Sequence, residues 1–207
     1  MTASAEEVHE LKMAPQVDDV LPAILHRWSP RAFTGENVPE KDLRTIFEAA
    51  RWTASSFNEQ PWRFLVGRRG EETYKKILSV LTPFNEMWAK SAAVLVLGVA
   101  KSKFSHNGAP NRMALFDLGA ASSYLTLQAT ALGIHSHQMA GLDEAAARKV
   151  FGVPEEYALG SAIALGYQGD PATLPVEQMV KQETAPRTRK ALGEFVWSGW
   201  EQAAELG

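Results

Sequence analysis

Cysteine is absent from the 207 residues, which rules out disulfides, thiolate nucleophiles and cysteine-held zinc or iron–sulfur centres. Charge bias is also missing: 21 Lys and Arg against 24 Asp and Glu leave a net charge of −3, so nothing draws the chain to nucleic acid or an anionic membrane. The longest apolar run, around residues 92–100, is far too short to span a bilayer. The opening MTASAEEVHELK is acidic and has no apolar core, so no signal peptide is read there and a cytoplasmic protein is expected. The string carries no G-x-S-x-G elbow, no phosphate-binding P-loop, no H-E-x-x-H, and no G-x-G-x-x-G after a strand.

What is present is an ordinary globular composition, 45% hydrophobic and 22% charged, long enough for one substantial core. Residues 1–15 read as a loosely held arm and 16–207 as a single domain. Val20, Leu21, Ile24, Leu25 and Trp28 mark one helical face, with Asp18 or Asp19 as its N-cap. Pro39 opens a second helix carrying Leu43, Ile46, Phe47 and Ala50. Residues 71–82 form a third, which Pro83 breaks into a Phe84-Asn85-Glu86 turn. Strands are expected at 62–67, at 92–100 (buried on both faces), at 134–139 and at 157–167. Residues 112–132 form a long helix that is apolar around most of its circumference, which implies burial twice over and a subunit seam. Residues 168–186 read as irregular and 189–204 as a closing helix.

Two polar stretches stand out against this scaffold. Arg27, Ser29 and Arg31 flank Pro30 at a helix exit, where two guanidinium groups and a hydroxyl can converge on an anion such as phosphate; surface pairing of the same arginines with carboxylates reads equally from the string. Ser55, Ser56, Asn58 and Gln60 lie in a loop between a helix and a strand and offer neutral donors and acceptors, which suits a planar, heteroatom-edged ligand. A turn capping its own backbone gives the same residues. The segment 101–111 is a polar loop and the expected substrate-facing region. His135 and His137 share one strand face, but no carboxylate stands at a metal-binding spacing and no metal is expected. With no side-chain constellation for catalysis, the pattern fits a bound cofactor that brings its own reactivity.

The strings RWSPRAF and ASSFNEQPWRFLV, followed by FNEMWAKSAAVLVLG, HQMAGLD, ALGY and RTRKALGEFVWSGW, resemble the FMN-dependent nitroreductase family over about residues 20–200. The resemblance implies an α+β fold with a central, mostly antiparallel sheet flanked by helices, and an intertwined homodimer with FMN at the interface. It places the flavin phosphate on Arg27, Ser29 and Arg31, with Arg187 and Arg189 closing over it. Ser55, Ser56, Asn58 and Gln60 would serve the ribityl chain and ring, partly across the interface. Asn85 would bond the pyrimidine edge, and Ala140 and Gly141 would bring backbone N–H groups to N5 and O4. Trp88 stands where many relatives carry a lysine, and Ala140 where some carry an acidic residue. The implied activity is hydride transfer from NAD(P)H through flavin N5 to an electron-poor small-molecule acceptor such as a nitroaromatic or quinone. A flavin carrier or sensing module, or an enzyme activating oxygen with reduced flavin, remains open on the same fold.

Overall fold

A computed structural model describes residues 3–15 and 17–206; Met1 and Thr2 of the expected arm, Gln16 and Gly207 lie outside the described residues. Four strands form one antiparallel sheet in the order β1-β2-β4-β3: β1 is Trp62–Arg68, β2 Val94–Lys101, β3 His135–Met139 and β4 Tyr157–Gly166. Neighbours run antiparallel although long helical connections separate them in sequence, and β3 is laid down at the edge before β4 fills the gap beside β2. The fold is α+β.

Strand β2 has no polar face because both faces are covered. Leu95, Leu97 and Val99 point into a cluster with Tyr74, Ile77, Trp88 and Met179, while Val94, Val96 and Ala100 point into another with Leu43, Ile46, Leu118 and Leu125. The first layer comes from α4 (Glu72–Ser79), α5 (Pro83–Ala89), α7 (Glu144–Phe151) and α8 (Glu177–Thr184); the second comes from α3 (Glu40–Arg51) and α6 (Ala114–Ala131). Helix α6 lies close on the sheet because two glycines let it: a Cβ on Gly160 would stand 2.5 Å from Leu118 Cδ2, and one on Gly98 3.2 Å from Leu118 Cδ1. At that approach the β2–β4 register shifts between Leu97 and Val99.

Several expectations are corrected. Pro83 does not merely break a helix; it occupies the first turn of α5, where its missing N–H costs nothing, so Asn85 is helical rather than in a turn. Asp19 adopts φ 64° and caps nothing, and α2 is confined to Pro22–His26 with Leu21 as its N-cap. Residues 177–184 are the helix α8, not irregular chain. The closing helix over 189–204 does not form. A short turn at Leu192–Glu194 leads into a hairpin of β5 (Trp197–Gly199) and β6 (Gln202–Ala203), since Gly193, Gly199, Val196 and Trp197 disfavour helix and Glu201 takes φ 57° at the bend. Within the expected arm, Ala5–Lys12 forms α1, capped by Ser4 and Glu7 and anchored by the buried Val8.

Candidate functional site

Trp28 ends the α2 segment and is buried, which turns the chain so that Arg27 through Arg31 crosses the edge strand β3. His137 on β3 makes that crossing specific: its Nδ1 lies 2.9 Å from the Pro30 carbonyl oxygen. Burial, opposed by that hydrogen bond and aided by the Arg31 and Arg27 charges, holds His137 down to about 4; burial beside His9 does the same for His135, also to about 4. Both rings are therefore neutral near pH 7. Each packs on tryptophan, His137 at 4.5 Å from Trp88 and His135 at 6.1 Å from Trp28, and no cluster of three metal-ligating side chains occurs among the described residues.

Arg27, Arg187 and Arg189 come together, whereas Arg31, expected to converge with Arg27, does not join them. Arg187 donates to the carbonyls of Leu25 and Arg27, both at 2.6 Å, and Arg27 Nη1 donates to Ser29 Oγ at 3.0 Å. Arg27, Arg187 and Arg189 line a cavity of about 660 Å³ walled by Leu11, Met13 and Ile24. Burial and mutual repulsion lower both Arg27 and Arg187 from the ordinary guanidinium value. None of the three guanidinium groups has a carboxylate within ion-pair distance among the described residues. Concentrated positive charge of this kind favours the approach of an anion.

Arg31 sits beyond that cavity wall. Its guanidinium lies 5.9 Å from the Phe84 ring, its Nε is buried without a partner, and its backbone N–H donates to Glu183 Oε1 at 2.8 Å. Glu183 is the functional-looking residue that the sequence reading missed. It is buried on α8, also accepts from Ala32 N at 3.0 Å, and its carboxyl is raised by that burial. Lys12 Nζ, bonded to the Gln182 and Ala185 carbonyls, stands on the same side. Met179 and Glu183 are buried one helical turn apart on α8, which no feature of the sequence announces.

Asn85 and Gly141 meet: Asn85 Nδ2 donates to the Gly141 carbonyl at 2.9 Å, and a Cβ at Gly141 would come within 2.6 Å of that nitrogen. Ala140 is exposed beside them at the end of β3. Trp88 is not at the surface; it is 1% exposed and stacks on Phe33 at 6.4 Å.

The loop with Ser55, Ser56, Asn58 and Gln60 is not part of this group. Ser56 N donates to Asp117 in the first turn of α6 at 3.1 Å, whereas α2 packs near Tyr124, Leu127 and Ala131 toward the other end. Ten residues of helix separate Asp117 from Leu127, about 15 Å. Ser55 Oγ is turned inward onto Gln60 N at 3.0 Å, while Asn58 and Gln60 are exposed.

Comparison with known proteins now bears on this arrangement. The family model described as the nitroreductase family matches residues 24–82 and 79–167. An Archaeoglobus fulgidus protein carrying the provisional name NADH dehydrogenase/NAD(P)H nitroreductase is 32% identical over 158 residues, 74% of this chain and 88% of its own length. A Thermus thermophilus protein named NADH dehydrogenase is 28% identical, covering 78% of this chain and 95% of its own. A solved structure described as an oxidoreductase containing FMN superposes with a TM-score of 0.83 at 32% identity, covering 96% of this chain and 98% of that one. The chain belongs to the nitroreductase family of oxidoreductases.

Proposed function

We propose that this chain is an FMN-dependent oxidoreductase that passes a hydride from NAD(P)H to an electron-poor small-molecule acceptor, a nitroaromatic or quinone, and works as a homodimer. The observation that carries the reading is the trio Arg27, Arg187 and Arg189 on the rim of a cofactor-sized cavity, with no carboxylate among the described residues to neutralise them. A dianionic phosphate is the ligand such a rim fits, and the related structure described as containing FMN supports which one.

FMN, when bound, supplies the two-electron chemistry that no side chain here provides. The residues of this chain would do the rest. Arg27, Ser29, Arg187 and Arg189 would hold the phosphate; the Leu25 and Arg27 carbonyls fix Arg187 in advance, which lowers the ordering cost of binding. Arg31 would add charge from the side, with Glu183 fixing its backbone. Asn85 and Gly141, already bonded to one another, would offer the polar edge for the ring, and the exposed Ala140 leaves room above it. His135 and His137, half-buried on β3, are held neutral and take up no proton near pH 7.

A second copy would complete the site. Helix α6 turns Phe116 (69% exposed) and Tyr124 to the outside, and Leu21, which caps α2, lies exposed beside Tyr124; Ile24, Phe195 and Trp200 are exposed as well. Apolar surface of this extent marks an interface. With the Ser55–Gln60 loop at the far end of α6, a partner's loop is the one that would reach the arginine cradle.

The absorption spectrum of freshly purified protein tests the reading. Visible flavin bands that bleach with NADH or NADPH, and return on adding 4-nitrobenzyl alcohol or a quinone, are expected. Alanine at Arg27 should weaken FMN about tenfold to a hundredfold, from roughly 1.5–3 kcal/mol per lost charged contact, alanine at both Arg27 and Arg31 should weaken it at least about a hundredfold, and riboflavin binding should be little changed. A colourless protein that takes up no FMN would refute it.

A further inference from the structure

The helix α1 (Ala5–Lys12) precedes the stretch that the family model matches, which begins at residue 24, yet it is tied to the body of the chain at both ends. At its start the Ala5 carbonyl accepts from Gln168 Nε2 at 2.8 Å, and just past its end Ala14 N donates to the Leu25 carbonyl at 3.3 Å. Between these ties Val8 is fully buried, and the His9 ring stands edge-on to His135 at 5.9 Å. The Ser4 and Glu7 capping box satisfies donors of the first turn.

Lys12 makes the unusual contact. It is 6% exposed, and lysine is rarely so buried unless it is paired. No carboxylate lies within ion-pair distance of it among the described residues. Its Nζ donates instead to the Gln182 carbonyl at 3.1 Å and to the Ala185 carbonyl, and lies 5.1 Å from the Trp28 ring centroid. Those carbonyls end α8, where a cation is favoured, and the chain leaving that end carries Arg187 and Arg189 to the cavity. The Leu25 carbonyl that accepts from Ala14 N also accepts from Arg187 Nη2. Leu11 and Met13 wall the same cavity. Burial lowers Lys12 from its ordinary value, the Glu183 carboxylate opposes this, and Arg187 and Arg31 add to it. Lys12 therefore feels the repulsion of Arg187, which an anion in the cavity offsets.

We infer that α1 is a clasp on the phosphate end of the site: Lys12 is a positioning residue that holds the 185–189 segment over the cavity, and anion binding and α1 docking stabilise each other. The inference rests on the reading above, in which this cavity takes the flavin phosphate. Docked Lys12 fixes the end of α8 from which Arg187 and Arg189 depart, so their ordering is met before the anion arrives. Bound phosphate in turn relieves the charge that works against Lys12. Such coupling is reciprocal and of one size in both directions. Riboflavin has no phosphate and gains nothing from the clasp.

The test uses the full chain loaded with FMN or with riboflavin. Lys12→Met keeps an unbranched stem in the buried position and removes the ammonium. Flavin release after dilution is followed by the rise in flavin fluorescence. FMN should leave the variant about tenfold faster, while riboflavin release and the visible bands of the bound ring stay unchanged. Hydrogen exchange at the α1 amides reads the reverse coupling and needs no variant: FMN should slow it about tenfold relative to the flavin-free protein, and riboflavin should not. Unchanged FMN release from Lys12→Met overturns the inference. So does equal acceleration for both flavins, which would make Lys12 a general support of the fold, or α1 exchange that is indifferent to FMN. If the unsubstituted protein takes up no FMN, the functional reading itself has failed, and that is seen before any substitution is made.

Discussion

The arginine cradle and the Ser55–Gln60 loop are prepared in opposite ways. In the cradle, nearly every group is held by its own chain: Arg187 by the Leu25 and Arg27 carbonyls, Arg27 by Ser29, the Arg31 and Ala32 backbone by the buried Glu183, and Pro30 by the neutral His137. In the loop, Ser55 is spent on the turn itself while Phe57, Asn58 and Gln60 face outward. A cation must be fixed before it can be buried, because a loose one would stay hydrated. Neutral amides and a phenyl ring carry no such penalty and can wait at the surface for a partner. In the proposed dimer, one half of the site would be finished on folding and the other half only on assembly.

The sharpest way to break this contrast is to exchange aromatics across it. Trp88→Ala removes a ring that is 1% exposed behind His137 and Phe33, and should cost about 3–5 kcal/mol in urea unfolding. Phe57→Ala removes one that is 82% exposed and should stay within about 0.5 kcal/mol. Equal losses would mean that the loop is as integral to the fold as the layer behind the cradle.

Acid should act on the cradle side next. His135 and His137 are held to about 4 in the folded chain against 6.5 for an ordinary histidine. As pH falls below 6.5 the unfolded chain takes up protons first, so stability is lost between 6.5 and about 4 and is fully retained above 6.5. The loss is up to about 3 kcal/mol per histidine. His137→Gln should flatten the dependence of unfolding free energy on pH in that window, as measured by urea titrations at half-unit steps. A slope identical to that of the unsubstituted protein would refute the assignment.

The smallest expected effect on folding is the most telling for assembly. Tyr124→Glu places a charge on the outward face of α6, where the ring is 47% exposed, and should change folding stability by no more than about 0.5 kcal/mol. Light scattering should nevertheless show a monomer, and flavin content should drop with it. The same charge at Leu118 would instead unfold the chain, because that side chain is packed against Gly98 and Gly160. A Tyr124→Glu monomer that retains flavin would mean the cradle needs no second copy.

Much of this was legible in the string. The unbroken apolar run at 92–100 announced a strand covered on both faces, and the nearly chargeless 112–132 segment announced a helix with two apolar sides. RWSPRAF gave the crossing segment, since Pro30 forbids helix and leaves the arginines on extended chain. Glu183 was not legible: a glutamate in a Pro- and Thr-rich stretch looks solvated until α8 folds and buries it beneath Arg31. Nor was the C-terminal hairpin, where the apolar spacing of Leu192, Phe195 and Val196 imitates a helix and local glycine content decides otherwise.

The amino-acid order by itself determined the absence of thiol chemistry, the layered strands and helices, and the identity of the polar residues available to a cofactor. Those properties follow from composition and from short-range periodicity. Only tertiary structure decided that three arginines share one cavity without a counter-ion among the described residues, that both strand histidines are neutral, and that Phe57 meets Phe104 and His106. Charge density, desolvation and ring contact depend on which distant segments are brought within a few ångströms, and no local pattern specifies that.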